Sequence, residues 1–518
     1  MYVYGWDPFE VYEDSSSDAT SILIKKWIAK CDKQHKCFQG HREPLPTRVI
    51  DVSQEEPYLL ITNGQTLPYI TLSHCWGGEQ PLVTTSATLE ERTAKIPMGS
   101  LPQLYRDAVT VTRALGIKYL WIDSLCILQD CKNDWAKESS KMGSIYRLSY
   151  LTLSALSSEN CHQKMLIQRQ PIPSDASEGS KKTAHKGRPR EEVFKTAPLC
   201  QRAWVLQERL LSPRLLYYSS DGLFWECLEC TNSEESLQEK PYTPSNYHYE
   251  SYHCPQVKIP LVKSLDANPS YPVSLPSDWQ VIVSEYTRCR LTYPSDKLPA
   301  LSGLASLYQR NTRYSYLAGL WEEDIANSLL WYCPLEQDQQ PDTKNQTSPY
   351  RGPSWSWVST DLDVQYKAFV NFSREEQYVS DFKFISSEIE LAGPDPMGEI
   401  ISATLTVGAP FYQVSYESQP GLRSYSVYDS GGDEMGSGIL DAIDRKPRVR
   451  KQCAAIIVTR KRYEIPRTKF STTELFTTYF LIVVPVSDAK AECWKRVGLA
   501  WAPRYIPSAP EMSIIQLV

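Results

Sequence analysis

The sequence contains no apolar segment long enough to span a membrane, for which about 20 consecutive apolar residues are needed. Its longest apolar stretch, TYFLIVVPVS, is interrupted by Pro485, and we predict that it forms a buried strand. A basic stripe with interleaved aromatic residues is also missing, and the net charge of −6 argues against nucleic acid as a partner. The first thirty residues carry five acidic residues and lack the apolar core of a secretion signal. We therefore expect a soluble cytoplasmic protein with neither membrane nor nucleic-acid partners.

Several common catalytic and nucleotide-binding motifs do not occur. The chain has no GxxxxGK[ST] loop, no GxGxxG after a strand, no HExxH and no GxSxG. These are the motifs of P-loop NTPases, dinucleotide-binding folds, zinc proteases and α/β-hydrolases. Any chemistry in this chain must therefore come from another arrangement of residues.

The 14 cysteines are a modest share of 518 residues, and without an export signal free thiols are the expected state. Four residues that can ligate a metal fall within eleven positions, namely Cys31, His35, Cys37 and His41. Zinc is conceivable there, but the spacing is not the CxxC pairing of a zinc knuckle. Cys227 and Cys230 form one CxxC without a second pair. A helix end with scattered polar residues is the favoured interpretation of the first group, and we expect no metal site.

The length exceeds what one hydrophobic core usually serves, so more than one domain is expected. The patterns predict an N-terminal helical lead-in at 1–66, an α/β domain at 67–215, a mixed, partly helical middle region at 216–345 and a β-rich region at 346–518. Residues 168–192 are polar and low in apolar side chains. We predict that they form a mobile insertion that is dispensable for folding.

Strand and helix patterns alternate between residues 68 and 156. PYITLS, IKYLWIDSLCIL and YLTLSAL are predicted strands, near 69–74, 118–123 and 150–155. SLPQLYRDAVTVTRALG and NDWAKESSKMGSIYRLS are predicted helices between them. This β-α-β-α-β order indicates a parallel sheet with right-handed crossovers and flanking helices.

Polar and reactive side chains occupy the carboxyl ends of the first two predicted strands. Ser73, His74 and Cys75 end the first strand, and Asp123 and Ser124 end the second. Ligands of open α/β sheets bind in the crevice above such ends, so we expect these residues to converge on one concave site. The alternative is that Ser73 and Asp123 cap helices while Cys75 packs in the core.

Further candidates flank this edge. Trp76 and Gly77 follow the first strand, and glycine there allows a ligand to approach the backbone. Glu138 shares the apolar, inward face of its predicted helix, where a carboxyl suits acid/base work or simply pairs with a nearby arginine. A third, denser polar group consists of Arg202, Trp204, Gln207 and Glu208. In one interpretation, Arg202 or Arg209 supplies a cation to this edge of the sheet. In the other, Arg202 and Glu208 pair with each other across helical turns.

The motifs together resemble the fungal heterokaryon-incompatibility (HET) domain family. The resemblance rests on YITLSHCWGG, LPQLYRDAVTVTRALGIKYLWIDSLCILQD, DWAKESSKMGSIYRLSYLTLSA and CQRAWVLQERLLSPRLLYY. SDKLPALSGLA, YLAGLW and PSWSWVS resemble the larger proteins in which the domain occurs. His74 stands where the family most often has tyrosine, which places an imidazole beside a thiol.

The resemblance implies a role in fungal non-self recognition, in which the domain triggers cell death through self-association or a partner protein. The family is also considered a distant relative of TIR domains, which have a flavodoxin-like parallel sheet. Some TIR domains cleave the nicotinamide–ribose bond of NAD with a helical glutamate. By this analogy NAD is a candidate substrate and Glu138 the candidate catalytic residue.

Two other classes of function stay open at this point. The first is an enzyme of fungal secondary metabolism that acts on a small molecule through Ser73, His74, Cys75, Asp123 and Glu138. The second is a non-catalytic interaction module in which the aromatic-rich C-terminal half recognises a partner. No cofactor is expected with certainty under any of the three hypotheses.

Overall fold

The computed structural model describes residues 14–35, 37, 43–78, 82–169, 188–235, 240–241, 275–334, 350–366, 377–419, 421–442, 450–468, 471–486, 493–503 and 511–518. The chain divides into two compact units, Met1–Val273 and Ser274–Val518. The expected middle region, 216–345, includes this division, and the four-part division stays a prediction. Among the described residues no helix is both long and apolar enough to cross a membrane.

The first unit is built on a nine-stranded mixed sheet. Its strands are β1 (Arg48–Asp51), β2 (Tyr58–Ile61), β3 (Tyr69–Ser73), β4 (Tyr119–Trp121), β5 (Leu151–Ala155), β6 (Arg214–Ser219), β7 (Gly222–Cys227), β8 (Cys230–Ser233) and β9 (Lys240–Pro241). The order is β2-β1-β4-β3-β5-β6-β7-β8-β9. The central four strands are parallel, and the strands at both sides are antiparallel. The three parallel strands predicted from the sequence are confirmed.

Eight helices are described in this unit. They are α1 (Asp18–Lys30), α2 (Leu89–Ala94), α3 (Gln103–Ala114), α4 (Asp123–Cys126), α5 (Lys132–Ser139), α6 (Met142–Arg147), α7 (Arg190–Thr196) and α8 (Ala203–Leu211). The Ser17 hydroxyl accepts a hydrogen bond from the Thr20 amide and so caps α1. A π-helical turn, Cys31–His35, continues α1. The 3₁₀ turns Met98–Ser100 and Leu199–Gln201 precede α3 and α8.

The helix predicted over 133–149 is wrong as a single element, because the chain breaks between α5 and α6. The hydroxyls of Ser139 and Ser140 donate to the carbonyls of Ala136 and Lys137, three residues earlier. Such local bonds compete with the helical ladder, and Gly143 adds little helix preference beyond the break. Glu138 therefore lies at the end of α5 rather than in the middle of a long helix.

Most of the predicted insertion at 168–192 lies outside the described residues. Its last part differs from the expectation, since α7 already begins at Arg190. Arg188 forms an ion pair with Asp221 at 2.9 Å, next to the turn between β6 and β7. The described end of this segment is thus attached to the sheet.

The second unit begins with helices and short hairpins. The helices are α9 (Leu275–Thr287), α10 (Pro299–Thr312) and α11 (Ile325–Ser328), with 3₁₀ turns at Pro294–Lys297, Glu322–Asp324 and Trp357–Ser359. Two small sheets pair β10 (Tyr316–Leu317) with β11 (Leu320–Trp321) and β12 (Trp331–Tyr332) with β13 (Gln365–Tyr366). Five tryptophans are buried here, namely Trp279, Trp321, Trp331, Trp355 and Trp357. The tryptophans of this half are therefore mostly core residues.

The rest of the second unit is a large β sheet. Its strands are β14 (Gln377–Val379), β15 (Lys383–Leu391), β16 (Ile400–Ser418), β17 (Ser424–Tyr428), β18 (Glu434–Leu440), β19 (Lys451–Thr468), β20 (Ser471–Pro485), β21 (Cys493–Pro503) and β22 (Glu511–Leu517). Antiparallel pairing leads from β16 through β19, β20, β21, β18 and β17 back to β16. Phe480–Val483 of β20 is buried, which confirms the buried strand predicted for this stretch. The β-rich C-terminal region is therefore confirmed.

Candidate functional site

The carboxyl ends of β3 and β4 meet through a tryptophan and an aspartate. Trp76 Nε1 donates a hydrogen bond of 2.8 Å to Asp123 Oδ2. Asp123 begins α4, and its Oδ1 accepts a 2.7 Å bond from the amide of Ser124. One carboxylate thus accepts from the amide that follows it in the first turn of α4 and holds the loop after the neighbouring strand. The parallel arrangement makes this possible, because both strand ends lie at the same edge of the sheet.

A chain of hydrogen bonds runs beneath this contact. His74 Nε2 lies 3.0 Å from the hydroxyl of Tyr105, which in turn lies 2.8 Å from the Ser124 hydroxyl. Burial lowers the pKa of His74 to about 4, which leaves the imidazole neutral near physiological pH. Sequence reasoning missed Tyr105, although its place on the inward face of α3, with Ala108 and Thr112, was a usable signal.

Glu208 is the buried carboxyl of the site. Burial raises its pKa from 4.5 to about 7. The positive charge of Arg202 and hydrogen bonds from the hydroxyls of Ser73 and Tyr146 oppose this rise. The carboxyl therefore changes its protonation state close to neutral pH, which is the property that a general acid or base requires.

Arg202 is the cation that reaches this edge. Its guanidinium donates a hydrogen bond to the carbonyl of His74, and its side chain is half-buried. Arg209, the other candidate, lies 3.3 Å from Glu226 and forms an ion pair there instead. Trp204 is also half-buried and packs against the core of the first unit. Of the two arginines proposed from the sequence, the structure places Arg202 at the site.

Cys75 faces away from His74. It belongs to a buried cluster that includes Leu156 and Phe194, whereas the His74 ring packs edge-on against Tyr105. Burial raises the pKa of the Cys75 thiol to about 11, so the thiolate is scarce near neutral pH. The alternation of side chains along an extended strand explains this separation. The geometry favours a packing role for this thiol.

Gly77 occupies a position that only glycine fits. Its φ is +86°, and a Cβ built on it would lie 2.3 Å from the Cβ of Asn160. Gly78, the next residue, is exposed, and a Cβ there would meet no atom within 4 Å. The sequence suggested glycine here because a ligand could approach the backbone. The structure adds a second reason, since packing against Asn160 leaves no room for a side chain at Gly77.

Glu138 has a different set of contacts. Its Oε1 lies 2.9 Å from Lys141 Nζ and accepts a 2.9 Å hydrogen bond from Thr47 Oγ1. Thr47 immediately precedes β1, which pairs with β4 on the side away from β3. The carboxylate is buried and paired with lysine rather than arginine. A catalytic role for Glu138 stays a prediction.

The residues that the structure brings together form two layers, which we call the edge cluster. Side chains of the half-buried layer are Trp76, Asp123 and Arg202. Those of the buried layer are Ser73, His74, Tyr105, Ser124, Tyr146 and Glu208. The half-buried layer offers one aromatic face, a carboxylate and a cation, and the buried layer offers a carboxyl whose pKa is raised to about 7. Such a set can bind a polar, partly aromatic molecule and move a proton to or from it.

All members of the edge cluster lie between the first residue of β3 and Glu208. Residues 69–208 match the family model described as Heterokaryon incompatibility protein (HET). The chain carries a HET domain. The resemblance noted in the sequence is thereby confirmed over this segment. No curated protein and no solved structure matches the chain.

A second group of reactive side chains lies outside the edge cluster, against an expectation from the sequence. The fold brings Cys227 to Cys31, His35 and Cys37, so that four ligand atoms lie within 4.8 Å of one another. His41 lies outside the described residues. The spacing argument considered each segment separately and did not anticipate that the two segments meet. The flanks of the HET domain therefore share one cluster of thiols and imidazole.

Proposed function

We propose that this protein is an effector of fungal non-self recognition whose HET domain triggers cell death and cleaves a small molecule at the edge cluster, with NAD as the first candidate substrate. One observation carries the proposal. The HET match begins at Tyr69, the first residue of β3, and ends at Glu208, the buried carboxyl of the cluster. The matched segment therefore supplies the complete edge cluster.

The strand order supports a relation to TIR domains. In chain order the parallel strands are β3, β4, β5 and β6, and in the sheet they run β4-β3-β5-β6. Flavodoxin-like sheets begin with the same second-first-third-fourth order, and their ligands bind where the order reverses. That point lies between β3 and β5, beside Ser73. Fold similarity alone does not imply a shared activity, so the chemistry of the cluster has to support it separately.

The edge cluster offers groups suited to NAD cleavage. The reaction breaks the bond between the nicotinamide nitrogen and the ribose, and water adds to the ribose carbon with loss of a proton. Glu208, with its pKa of about 7, accepts that proton. The half-buried cation of Arg202 suits a pyrophosphate, and the Trp76 ring offers a face for a base. Glu138 remains the second candidate carboxylate, by analogy with the TIR glutamate.

The test is turnover by the purified full-length chain. Incubation with NAD, followed by chromatography of nicotinamide, is compared among wild type, Glu208→Gln, Glu138→Gln and Glu90→Gln. Glu90 is an exposed carboxylate of the same domain and serves as the matched control. We expect a loss of about 100-fold or more for Glu208→Gln, as for removal of a general acid or base, and no change for Glu90→Gln. Loss in Glu138→Gln alone would assign the chemistry to that residue instead.

A parallel assay in fungal cells separates catalysis from assembly. Expression of the wild type is expected to kill the cells and to lower their NAD content, and Glu208→Gln is expected to do neither. Killing by a variant that leaves NAD unchanged would support the interaction-module alternative, in which the domain works through self-association or a partner. Untargeted mass spectrometry of cell extract incubated with the protein identifies turnover of a different metabolite. Absence of both killing and turnover in the wild type would refute the proposal.

A further inference from the structure

Three thiols and one imidazole meet beside the sheet of the first unit. Cys31, His35 and Cys37 come from the turn after α1, and Cys227 is the last residue of β7. We refer to these four residues as the thiol–imidazole cluster. Their ligand atoms all lie within 4.8 Å of one another, and Cys227 Sγ lies 3.5 Å from His35 Nδ1. Two ligands of one tetrahedral zinc ion are about 3.5 to 3.8 Å apart, as its bond lengths require.

Local structure holds these side chains in place without a metal. Cys31 and His35 begin and end the π-helical turn, a rare conformation that often occurs at functional sites. Asp32, in the same turn, forms an ion pair with Arg214 of β6 and accepts a 3.2 Å hydrogen bond from Tyr150. These contacts fasten the turn to the sheet, so that its thiol and imidazole face β7.

The backbone around Cys227 has the pattern of a thiolate ligand. The amide of Glu229 donates a 3.4 Å hydrogen bond to Cys227 Sγ. Amide donors of this kind surround metal-bound sulfur and stabilise its negative charge. Cys31 and Cys227 are fully buried, and Cys37 is 8% exposed. Three thiols and one imidazole therefore present four ligand atoms to one point in the protein interior.

We propose that Cys31, His35, Cys37 and Cys227 bind a structural zinc ion that joins the segment before the HET domain to the hairpin after it. Soft thiolates with one imidazole favour zinc over magnesium or calcium, which prefer oxygen ligands. Four protein ligands leave no open position for water or substrate, so the role is structural rather than catalytic. The ion therefore links the two segments that flank the matched residues 69–208. Three of its ligands precede residue 69 in the chain and one follows residue 208.

Cys230 is the neighbouring thiol that has to be assigned. Its Sγ lies 3.6 Å from Cys227 Sγ and 3.9 Å from His35 Nδ1. It falls outside the group of four whose ligand atoms are all within 4.8 Å of one another. We assign Cys230 as a neighbour of the Cys227 sulfur and not as a ligand. This assignment predicts different results for the two cysteines of the CxxC.

The first experiment measures zinc in the full-length chain. The protein is produced in zinc-supplemented medium, purified under reducing conditions without chelator, and examined by elemental analysis and native mass spectrometry. We expect one zinc ion per wild-type chain and its loss in Cys31→Ser and Cys227→Ser. Cys230→Ser keeps the ion, as does the control Cys126→Ser, which changes a buried thiol of the same unit. Chelation of the wild-type zinc is expected to lower the unfolding temperature.

A second measurement tests the proposal even if the serine variants do not fold, because it uses the wild type and a variant that keeps four ligands. Cobalt replaces zinc in the wild type and in His35→Cys, which keeps four ligands. We expect the absorption of tetrahedral cobalt in both, with about one third more thiolate-to-cobalt charge transfer in His35→Cys, because four thiolates replace three. A wild-type chain that takes up neither metal would overturn the proposal. Full zinc in Cys31→Ser and Cys227→Ser, or an intact mass showing a disulfide between the two segments in the reduced preparation, would also overturn it.

Discussion

The pKa of Glu208 predicts that replacing this carboxyl stabilises the protein in a pH-dependent way. The buried carboxyl has a pKa of about 7, whereas an ordinary glutamate has 4.5. A difference of this size corresponds to about 3 kcal/mol of destabilisation when the group is ionised in the folded state. Below pH 4.5 the group is protonated both folded and unfolded, so the penalty is absent. It grows as the pH rises from 4.5 to about 7 and is complete above that range.

Glu208→Gln removes the ionisable group and keeps the shape of the side chain. We expect the variant to match the wild type at about pH 4.5 and to unfold at a higher temperature at about pH 8. About 3 kcal/mol corresponds to an increase of at most about 10 °C for a domain of this size. The hydroxyls of Ser73 and Tyr146, which donate to the carboxylate, can reorient to accept from the new amide.

The assay is thermal unfolding of both proteins at a series of pH values between about 4.5 and 8, followed by circular dichroism. Glu90→Gln, at an exposed carboxylate, is the control and is expected to give a small difference that does not vary over this range. A Glu208→Gln difference that is equally flat, or one that favours the wild type more strongly as the pH rises, would refute the reasoning. If the variant is more stable yet inactive, the carboxyl destabilises the fold but is required for activity.

Three further predictions concern packing. Gly77→Ala should lower the free energy of unfolding by about 2 kcal/mol, because its φ is +86° and its Cβ would overlap Asn160, whereas Gly78→Ala should leave it nearly unchanged in urea titrations. Cys75→Ser should lower stability by about 1–3 kcal/mol in the same titrations with NAD turnover retained, and complete loss of turnover in a folded variant would identify a nucleophile instead. Glu234→Gln should cost about 3 kcal/mol, because it breaks the buried 2.9 Å ion pair between Glu234 and Arg169, and a measured cost below about 1 kcal/mol would contradict the buried ion pair.

Local patterns were sufficient for most elements of the HET domain. The strands at Tyr69–Ser73, Tyr119–Trp121 and Leu151–Ala155 follow from apolar runs between turn signals, and their parallel order follows from the helices between them. The failure at 133–149 was also local in origin. Ser139 and Ser140 bond to carbonyls three residues earlier, and a periodicity count does not register this competition.

The edge cluster could be predicted in part. The expectation that strand ends converge concerned Ser73, His74, Cys75, Asp123 and Ser124, and in the structure the hydroxyl of Tyr105 joins His74 to Ser124. The pKa of Glu208 could not be anticipated, because it depends on burial of the carboxyl beside Ser73 of β3 and Tyr146 of α6. The role of Tyr146 could not be anticipated either, since an inward-facing tyrosine of a helix could serve equally well as core.

The sequence by itself determined the family of the central segment, the parallel strands and the β-rich C-terminal region, because each depends on residues close together in the chain. Only the tertiary structure decided which polar groups share an environment. His35 and Cys227 are 192 residues apart, and each segment alone has an incomplete set of metal ligands. Pairing of β6 and β7 with the central strands brings the two segments together. Contacts between distant residues depend on the packing of the whole unit, which no local pattern in the chain encodes.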